Sequence, residues 1–345
     1  MPSLSRARAR ELIGGFPAHT IVIVGDVMLD QFLVGRVDRL SPEAPVPVVE
    51  YDHDEYRVGG AANVAHNVRS LGGQVELVGI VGSDPSKERL LDELGTLGVG
   101  TEGIIEDATR PTTRKLRIVT QRNQQVTRVD FEADGELSPE LEAMVARRLD
   151  GAARGASAIL ISDYLKGAVT RGVMERAVAC ARSHRIPLLV DPKIPHIDYY
   201  AGATLVTPNH HEAEIATYRK IRTTNDARAA ARDFRQRVGC ESVLVTRGEH
   251  GMWLLEGGAT SEDGGIRHEA YLPALAREVA DVTGAGDTVI GTISLGLAAG
   301  ARMAEAAELA NHAAGVAVGK FGPATVGPDE LLSSIASSTT DVRSG

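Results

Sequence analysis

Six short runs rich in β-branched residues recur along this chain, with helix-length stretches between most of them. The runs are TIVIV (Thr20–Val24), VELVGIVG (Val75–Gly82), SAILIS (Ser157–Ser162), IPLLV (Ile186–Val190), ATLVT (Ala203–Thr207) and SVLVT (Ser242–Thr246). Helices are predicted over Ala61–Leu71, Lys87–Leu97, Pro139–Ala152, Thr170–His184 and Asn225–Val238. Alternating strand and helix implies an α/β fold, a mostly parallel sheet covered on both faces. Such sheets bind ligands beyond the carboxyl ends of their strands. The loops richest in polar residues follow strands: GDVMLD, SDYLKG, DPK, TPNHHE and TRGEHG.

Two stretches break the alternation. Gln31–Tyr51 and Thr112–Glu132 mix β-branched with polar residues and carry no helical period, so they read as half-exposed strands of one small sheet over the pocket. The polar end of the chain, SSIASSTTDVRSG, is expected to fray.

With 345 residues, 43% hydrophobic and 24% charged, the chain suits one large α/β domain or two smaller ones. A net charge of −9 argues against a general nucleic-acid binder. The basic stretch Arg219–Arg237 reads as a solvated helix face. Cys180 and Cys240 are too few and too far apart for a disulfide framework or zinc cluster, which favours a reducing cytoplasm. Arginines 6, 8 and 10 precede no apolar signal region, and no apolar run reaches membrane length.

Two nucleotide motifs fail. GVAVGKFG (Gly315–Gly322) has the wrong spacing for a P-loop, and Phe321 stands where Ser or Thr belongs. No GxGxxG follows the first strand, so a nicotinamide dehydrogenase is disfavoured. What stands out is DVTGAGDTVIG (Asp281–Gly291). Its glycines free the backbone for close approach, and the apolar run from Val289 reads as a buried helix. Asp287 then sits in a helical first turn beside free N–H groups, a place built for an anion. It is either a helix cap or a base facing a phosphate. Upstream, VGGAANVAHNVRSLGG (Val58–Gly73) puts Gly59 and Gly60 before a small-residue helix with Asn63 in its first turn. Asp26 and Asp30 follow the first strand, where they suit sugar hydroxyls or simple turn chemistry.

Through Gly59, Gly60, Asn63 and Asp281–Asp287 the sequence resembles the ribokinase-like (PfkB) carbohydrate kinases, from about residue 20 to residue 330. Within the family, Gly25–Glu50, Arg122–Glu132, SDYLKG, DPK and TPNHHEAE look like the branch acting on D-glycero-β-D-manno-heptose 7-phosphate, often fused to an adenylyltransferase. The resemblance implies a ribokinase-like doubly wound, mostly parallel sheet with a small β lid. It implies one kinase domain over 1–335, lid segments at about 31–51 and 112–132, and a disordered tail at 336–345. The chain stops where the second half would begin, so a free-standing kinase is expected.

By the same resemblance Asp287 is the catalytic base, and the amides of Gly284, Ala285 and Gly286 hold the moving phosphoryl group. Physics agrees in part, since a carboxylate near a helix N-terminus is favoured in its ionised form. Asn209 and Glu212 match an Asn-x-x-Glu element that organises Mg²⁺ and the ATP phosphates, with Glu212 the metal-facing carboxylate. Thr246, Gly248 and Gly251 match a nucleotide loop, and Asn311 matches a position beside adenine or serves as a core amide. The role of Arg247 is open. His210 and His211 lack a third ligand at zinc spacing. Asp26, Asp30, Gly59, Gly60 and Asn63 are expected around the sugar hydroxyls, with Lys193, Arg122 or Gln124 at the distal phosphate. Asp281 would shape a monovalent-cation site for an ion such as K⁺, and a homodimer through the lid strands is expected. Two competing functions are another sugar or nucleoside kinase of this fold and a non-catalytic sugar-phosphate sensor.

Overall fold

The computed structural model describes residues 4–341 apart from 134, 259–264, 277–278 and 321, with side chains described as far as 337. The chain opens with α1 (Arg6–Gly15), β1 (Thr20–Gly25) and two long strands, β2 (Val27–Leu40) and β3 (Pro47–Gly60). Then come α2 (Ala61–Ser70), β4 (Gln74–Val81), α3 (Pro85–Thr96), β5 (Ile104–Glu106), β6 (Arg114–Thr120), β7 (Gln125–Phe131) and α4 (Pro139–Ala153). The middle runs β8 (Ala158–Ser162), α5 (Arg171–His184), β9 (Leu188–Asp191), β10 (Leu205–Val206), α6 (His210–Thr217), α7 (Thr224–Val238) and β11 (Ser242–Thr246). The last elements are β12 (Met252–Gly257), β13 (Ile266–Leu272), α8 (Ala285–Ala298), α9 (Met303–Ala317) and α10 (Pro328–Asp341).

Nine strands form the main sheet in the order β13-β12-β11-β10-β9-β8-β1-β4-β5. It is parallel from β5 to β11; β12 and β13 add an antiparallel edge. Alternate residues of one strand serve opposite layers, because successive side chains point to opposite faces. Ile21 and Ile23 of β1 join a core with α2, α8 and α9, whereas Val22 and Val24 join one with α4, α5 and α7. Strand β1 is interior, and the connections run outward from it both ways, through β4 on one side and β8 on the other. The crevice beyond its carboxyl end is therefore the switch point where doubly wound folds bind ligands.

The two segments that broke the helical pattern meet in a second, four-stranded sheet, β3-β2-β6-β7. Strand β2 leaves directly from the carboxyl end of β1, so this lid stands over the crevice. Helix α10 takes in residues 336–341, placed by composition in a frayed tail; Leu331 and Ile335 of its first turns are buried in the core. Residues 342–345 of that expected tail lie outside the described residues. The basic stretch forms α7, where Arg228 and Arg232 pair with Glu269 at 2.8 Å each. No helix among the described residues is long and apolar enough to cross a membrane.

Candidate active site

Helix α8 begins at a glycine because only a glycine fits there. Gly284 is its N-cap, with φ of +77°, and a Cβ on it would lie 2.8 Å from Nδ2 of Asn63. Three residues on, Asp287 faces inward and is 4% exposed. Asn63 Nδ2 donates to its Oδ2 at 2.6 Å, and the Tyr164 hydroxyl donates to its Oδ1 at 2.9 Å. Burial pushes this carboxyl up to about 6; the two donors and the Lys193 ammonium pull it down, and Asp30 opposes them. The helix N-terminus alone suggested a carboxylate held firmly ionised. Here desolvation outweighs it, leaving a group that is ionised at neutral pH yet ready to take a proton.

The Ala285 N–H is directed back to the Val282 carbonyl at 3.2 Å. Those of Gly284 and Gly286 make no hydrogen bond among the described residues. A Cβ on Gly286 would meet nothing within 4 Å, so this glycine borders open space. The turn therefore offers two N–H groups to an anion, and the third amide expected there is already engaged.

Loops after β1 and β8 build the opposite wall. Asp26 is buried and accepts from the backbone N–H of Tyr164 (2.7 Å), Lys166 (3.1 Å) and Ala168 (2.9 Å). Expected at sugar hydroxyls, it folds the SDYLKG loop through these bonds. Asp163, fully buried, completes that fold by accepting from Tyr200 and Leu165 and bonding His196 Nδ1. Leu165 takes a φ of +59°, a strained value that these bonds sustain. The product of this bracing is the position of the Tyr164 phenol.

Beyond β9 and β10 lies a second polar group. Lys193 Nζ donates to Glu212 Oε1 at 2.6 Å and to the Pro192 carbonyl at 3.1 Å. Asn209 and Glu212 form a reciprocal capping box on α6, each side chain bonding the other's N–H at 2.9 Å. This gives Asn-x-x-Glu a local structural cause beside any ligand role. Burial and the neighbouring carboxylates of Asp287, Glu212 and Asp163 raise the Asp191 carboxyl, and Lys193 opposes them. Asn209 bridges to Thr246 at the end of β11, and Gly248 and Gly251 shape the next turn at φ of +54° and +72°. A Cβ on Gly251 would lie 2.1 Å from the Leu272 carbonyl oxygen. Arg247 is buried beside them. Asn311 Nδ2 donates to the Pro273 carbonyl at 2.8 Å, tying α9 to the loop after β13.

The lid closes the crevice from above. A cleft of about 230 Å³ lies between lid residues Asp30, Phe32, Arg57 and Arg117 and the loop residues Asp281 and Thr283. Asp30 forms a 2.5 Å ion pair with Arg117. Gly59 packs where a Cβ would lie 2.8 Å from Asp30 Oδ2, and Gly60 has a φ of +56°. Arg122 and Gln124 sit in the exposed β6–β7 turn, their N–H groups bonded to the Thr120 hydroxyl at 3.3 and 3.2 Å. Asp281 accepts from the N–H of Thr283 (2.9 Å) and Gly322 (3.1 Å). The His210 and His211 rings lie 3.9 Å apart between centroids, tilted by 38°.

Sequence reasoning marked the SDYLKG loop but not Tyr164, since no spacing rule links it to Asp287. The Asn-x-x-Glu spacing of Asn209 and Glu212 is itself a capping-box signature in the sequence.

Comparison with known proteins follows the same lines. The model of the pfkB family carbohydrate kinases matches residues 18–330. The chain is 44% identical over 320 residues to "Bifunctional protein HldE" of Pelobacter propionicus, covering 93% of this chain and 64% of that protein. It is 40% identical to the protein of the same name from Geobacter sulfurreducens, over 96% of this chain and 66% of the relative. The chain thus spans just under two thirds of the length of these relatives. Among solved structures, Escherichia coli phosphofructokinase-2 in complex with potassium superposes with a TM-score of 0.75 at 18% identity, over 93% of this chain and 99% of that one. Arabidopsis thaliana ribokinase complexed with ribose and ATP gives 0.69 at 17% identity, over 92% and 98%. These likenesses show a ribokinase-like fold. With the family model matched along nearly its whole length, the chain belongs to the pfkB family of carbohydrate kinases and is a sugar kinase.

Proposed function

We propose that this chain transfers the terminal phosphoryl group of ATP to the anomeric hydroxyl of D-glycero-β-D-manno-heptose 7-phosphate. The product is the 1,7-bisphosphate, on the route to ADP-heptose and the lipopolysaccharide core. The observation that carries the reading is Asp287: a buried carboxyl of pKa about 6, each oxygen held by one donor, at the foot of a turn with unused amides. The attacking hydroxyl gives its proton to Asp287 as its oxygen bonds to phosphorus and the bond to ADP breaks. The Gly284 and Gly286 amides receive the charge that develops on the phosphoryl oxygens. Asn63 Oδ1 is buried without a partner, an acceptor suited to a sugar hydroxyl. Gly59 and Gly60 let the substrate approach the backbone, and Asp30 lies within the same cleft.

Glu212 and the half-buried Asp191 flank Lys193, a crowding of carboxylates that suits Mg²⁺, which takes one or two carboxylates and keeps several waters. Bound there with ATP, Mg²⁺ would neutralise charge on the triphosphate. Asn209, Thr246, Gly248, Gly251 and Asn311 complete the proposed nucleotide side. Asp281, folded between two loop N–H groups, is proposed to shape a K⁺ site. A second copy is proposed to pair through the lid, whose Leu40, Tyr51, Val129 and Phe131 are exposed. We place the activity in the cytoplasm. The heptose assignment draws on the sequence resemblance and on the identity to proteins named HldE.

The test is ADP release from ATP with heptose 7-phosphate, ribose, fructose and adenosine in parallel. Preference for heptose 7-phosphate supports the reading. Preference for another acceptor leaves a pfkB kinase of different substrate, and binding of heptose 7-phosphate without ADP release indicates a sensor.

A further inference from the structure

Among the described residues, Arg57, Arg117, Lys166 and Lys193, on the lid or the loops below it, are each paired with a carboxylate. Arg117 pairs with Asp30 at 2.5 Å, Arg57 with Glu55 at 3.2 Å, Lys166 with Glu132 at 2.8 Å and Lys193 with Glu212 at 2.6 Å. Lys115 of β6 forms no ion pair or hydrogen bond among the described residues. Its position is defined. It lies in register with Asp30 of β2 and Asp130 of β7, and alternates along β6 with Arg117 and Val119, which line the cleft. Residues two apart on a strand share a face, so Lys115 faces the crevice. Its ammonium lies 6.0 Å from the centroid of the Tyr164 ring, whose hydroxyl holds Asp287.

Its cross-strand carboxylates are already paired, Asp30 with Arg117 and Asp130 with Arg128, so this half-buried ammonium, one aromatic ring away from the reacting centre, is open to an anion brought in by the substrate. That anion is not the phosphoryl group in transfer, which belongs at the α8 turn on the other side of Asp287. A sugar carrying a phosphate at the end away from its reacting hydroxyl puts a second anion about one sugar length from the base. We infer that Lys115 is the anchor for the distal phosphate of the acceptor, and that through it the lid selects phosphorylated over unphosphorylated sugars. The inference rests on the proposed sugar-phosphate acceptor and moves the anchor away from the exposed Arg122–Gln124 turn and from Lys193, whose charge is already committed to Glu212. The lid strand then reads the phosphate while the base reads the hydroxyl. A charge-assisted hydrogen bond of this kind changes affinity by roughly tenfold to a hundredfold.

The experiment compares kcat/KM for heptose 7-phosphate and for the unphosphorylated heptose in the wild type, Lys115→Ala and Lys115→Arg. The expected result is that the ratio of the two falls about tenfold or more in Lys115→Ala, through KM rather than kcat, and recovers in Lys115→Arg. Melting temperature checks that the half-exposed position leaves folding intact. An unchanged ratio in Lys115→Ala overturns the inference while the acceptor assignment stands. A wild type that prefers an unphosphorylated sugar overturns the acceptor assignment and the inference with it.

Discussion

The Tyr164 hydroxyl donates a 2.9 Å hydrogen bond to Oδ1 of Asp287 across 123 residues of sequence, joining the loop after β8 to the first turn of α8. The bond favours the ionised carboxyl and opposes the desolvation that raises it. The two loops thus set the proton affinity of this carboxyl between them.

Removing that donor gives the first prediction. With a base of pKa about 6, kcat/KM rises with pH through 6 and levels above it, since only the ionised form accepts a proton. Tyr164→Phe deletes a bond to the charged form and moves this limb to higher pH by roughly one unit. A pH profile of the variant with an unmoved limb would show that the phenol does not tune Asp287.

Asp287→Asn keeps the shape and removes the proposed base. Turnover should fall by roughly 10²–10⁴, with ATP binding retained. Stability moves the other way. The folded carboxyl is raised from 3.8 to about 6, so above pH 6 the buried charge opposes folding, and stability falls as pH rises from 4 to 6. The variant should therefore melt no lower than wild type at pH 7. Near-normal turnover would remove Asp287 from the mechanism.

Gly284→Ala tests the turn. Its φ of +77° costs an alanine about 1–2 kcal/mol, and the new Cβ falls 2.8 Å from Asn63 Nδ2. The displaced amide loses Asp287, so kcat should drop further than stability. Equal losses in kcat for Gly284→Ala and for Gly286→Ala, where the Cβ meets open space, would contradict this account.

Glu212→Ala removes half a capping box and the partner of Lys193. A melt should show a loss of about 1 kcal/mol from the helix start. The KM for Mg·ATP should rise roughly tenfold, the loss of one charged hydrogen-bonding partner. A change in melting alone would reduce Asn209 and Glu212 to a cap.

Much of this was legible in the residues themselves. A run such as TIVIV has too many branched apolar side chains for an exposed helix, so strand order along the chain and the two-faced sheet follow from local pattern. Asp287 was legible too, because glycines before an apolar helix announce an N-terminus with free amides. What the chain order could not give was the partnership of side chains far apart in sequence. Asp26 and Asn63 looked equally suited to a sugar; packing engages the carboxylate of the first with the backbone of 164–168 and the Nδ2 of the second with Asp287, leaving Asn63 Oδ1 unpartnered. Tyr164 and Lys115 gained meaning only when β8, the lid and α8 converged. Local sequence sets the elements through short-range sterics and periodicity. Burial and charge pairing depend on which elements meet, and only the tertiary structure decides that.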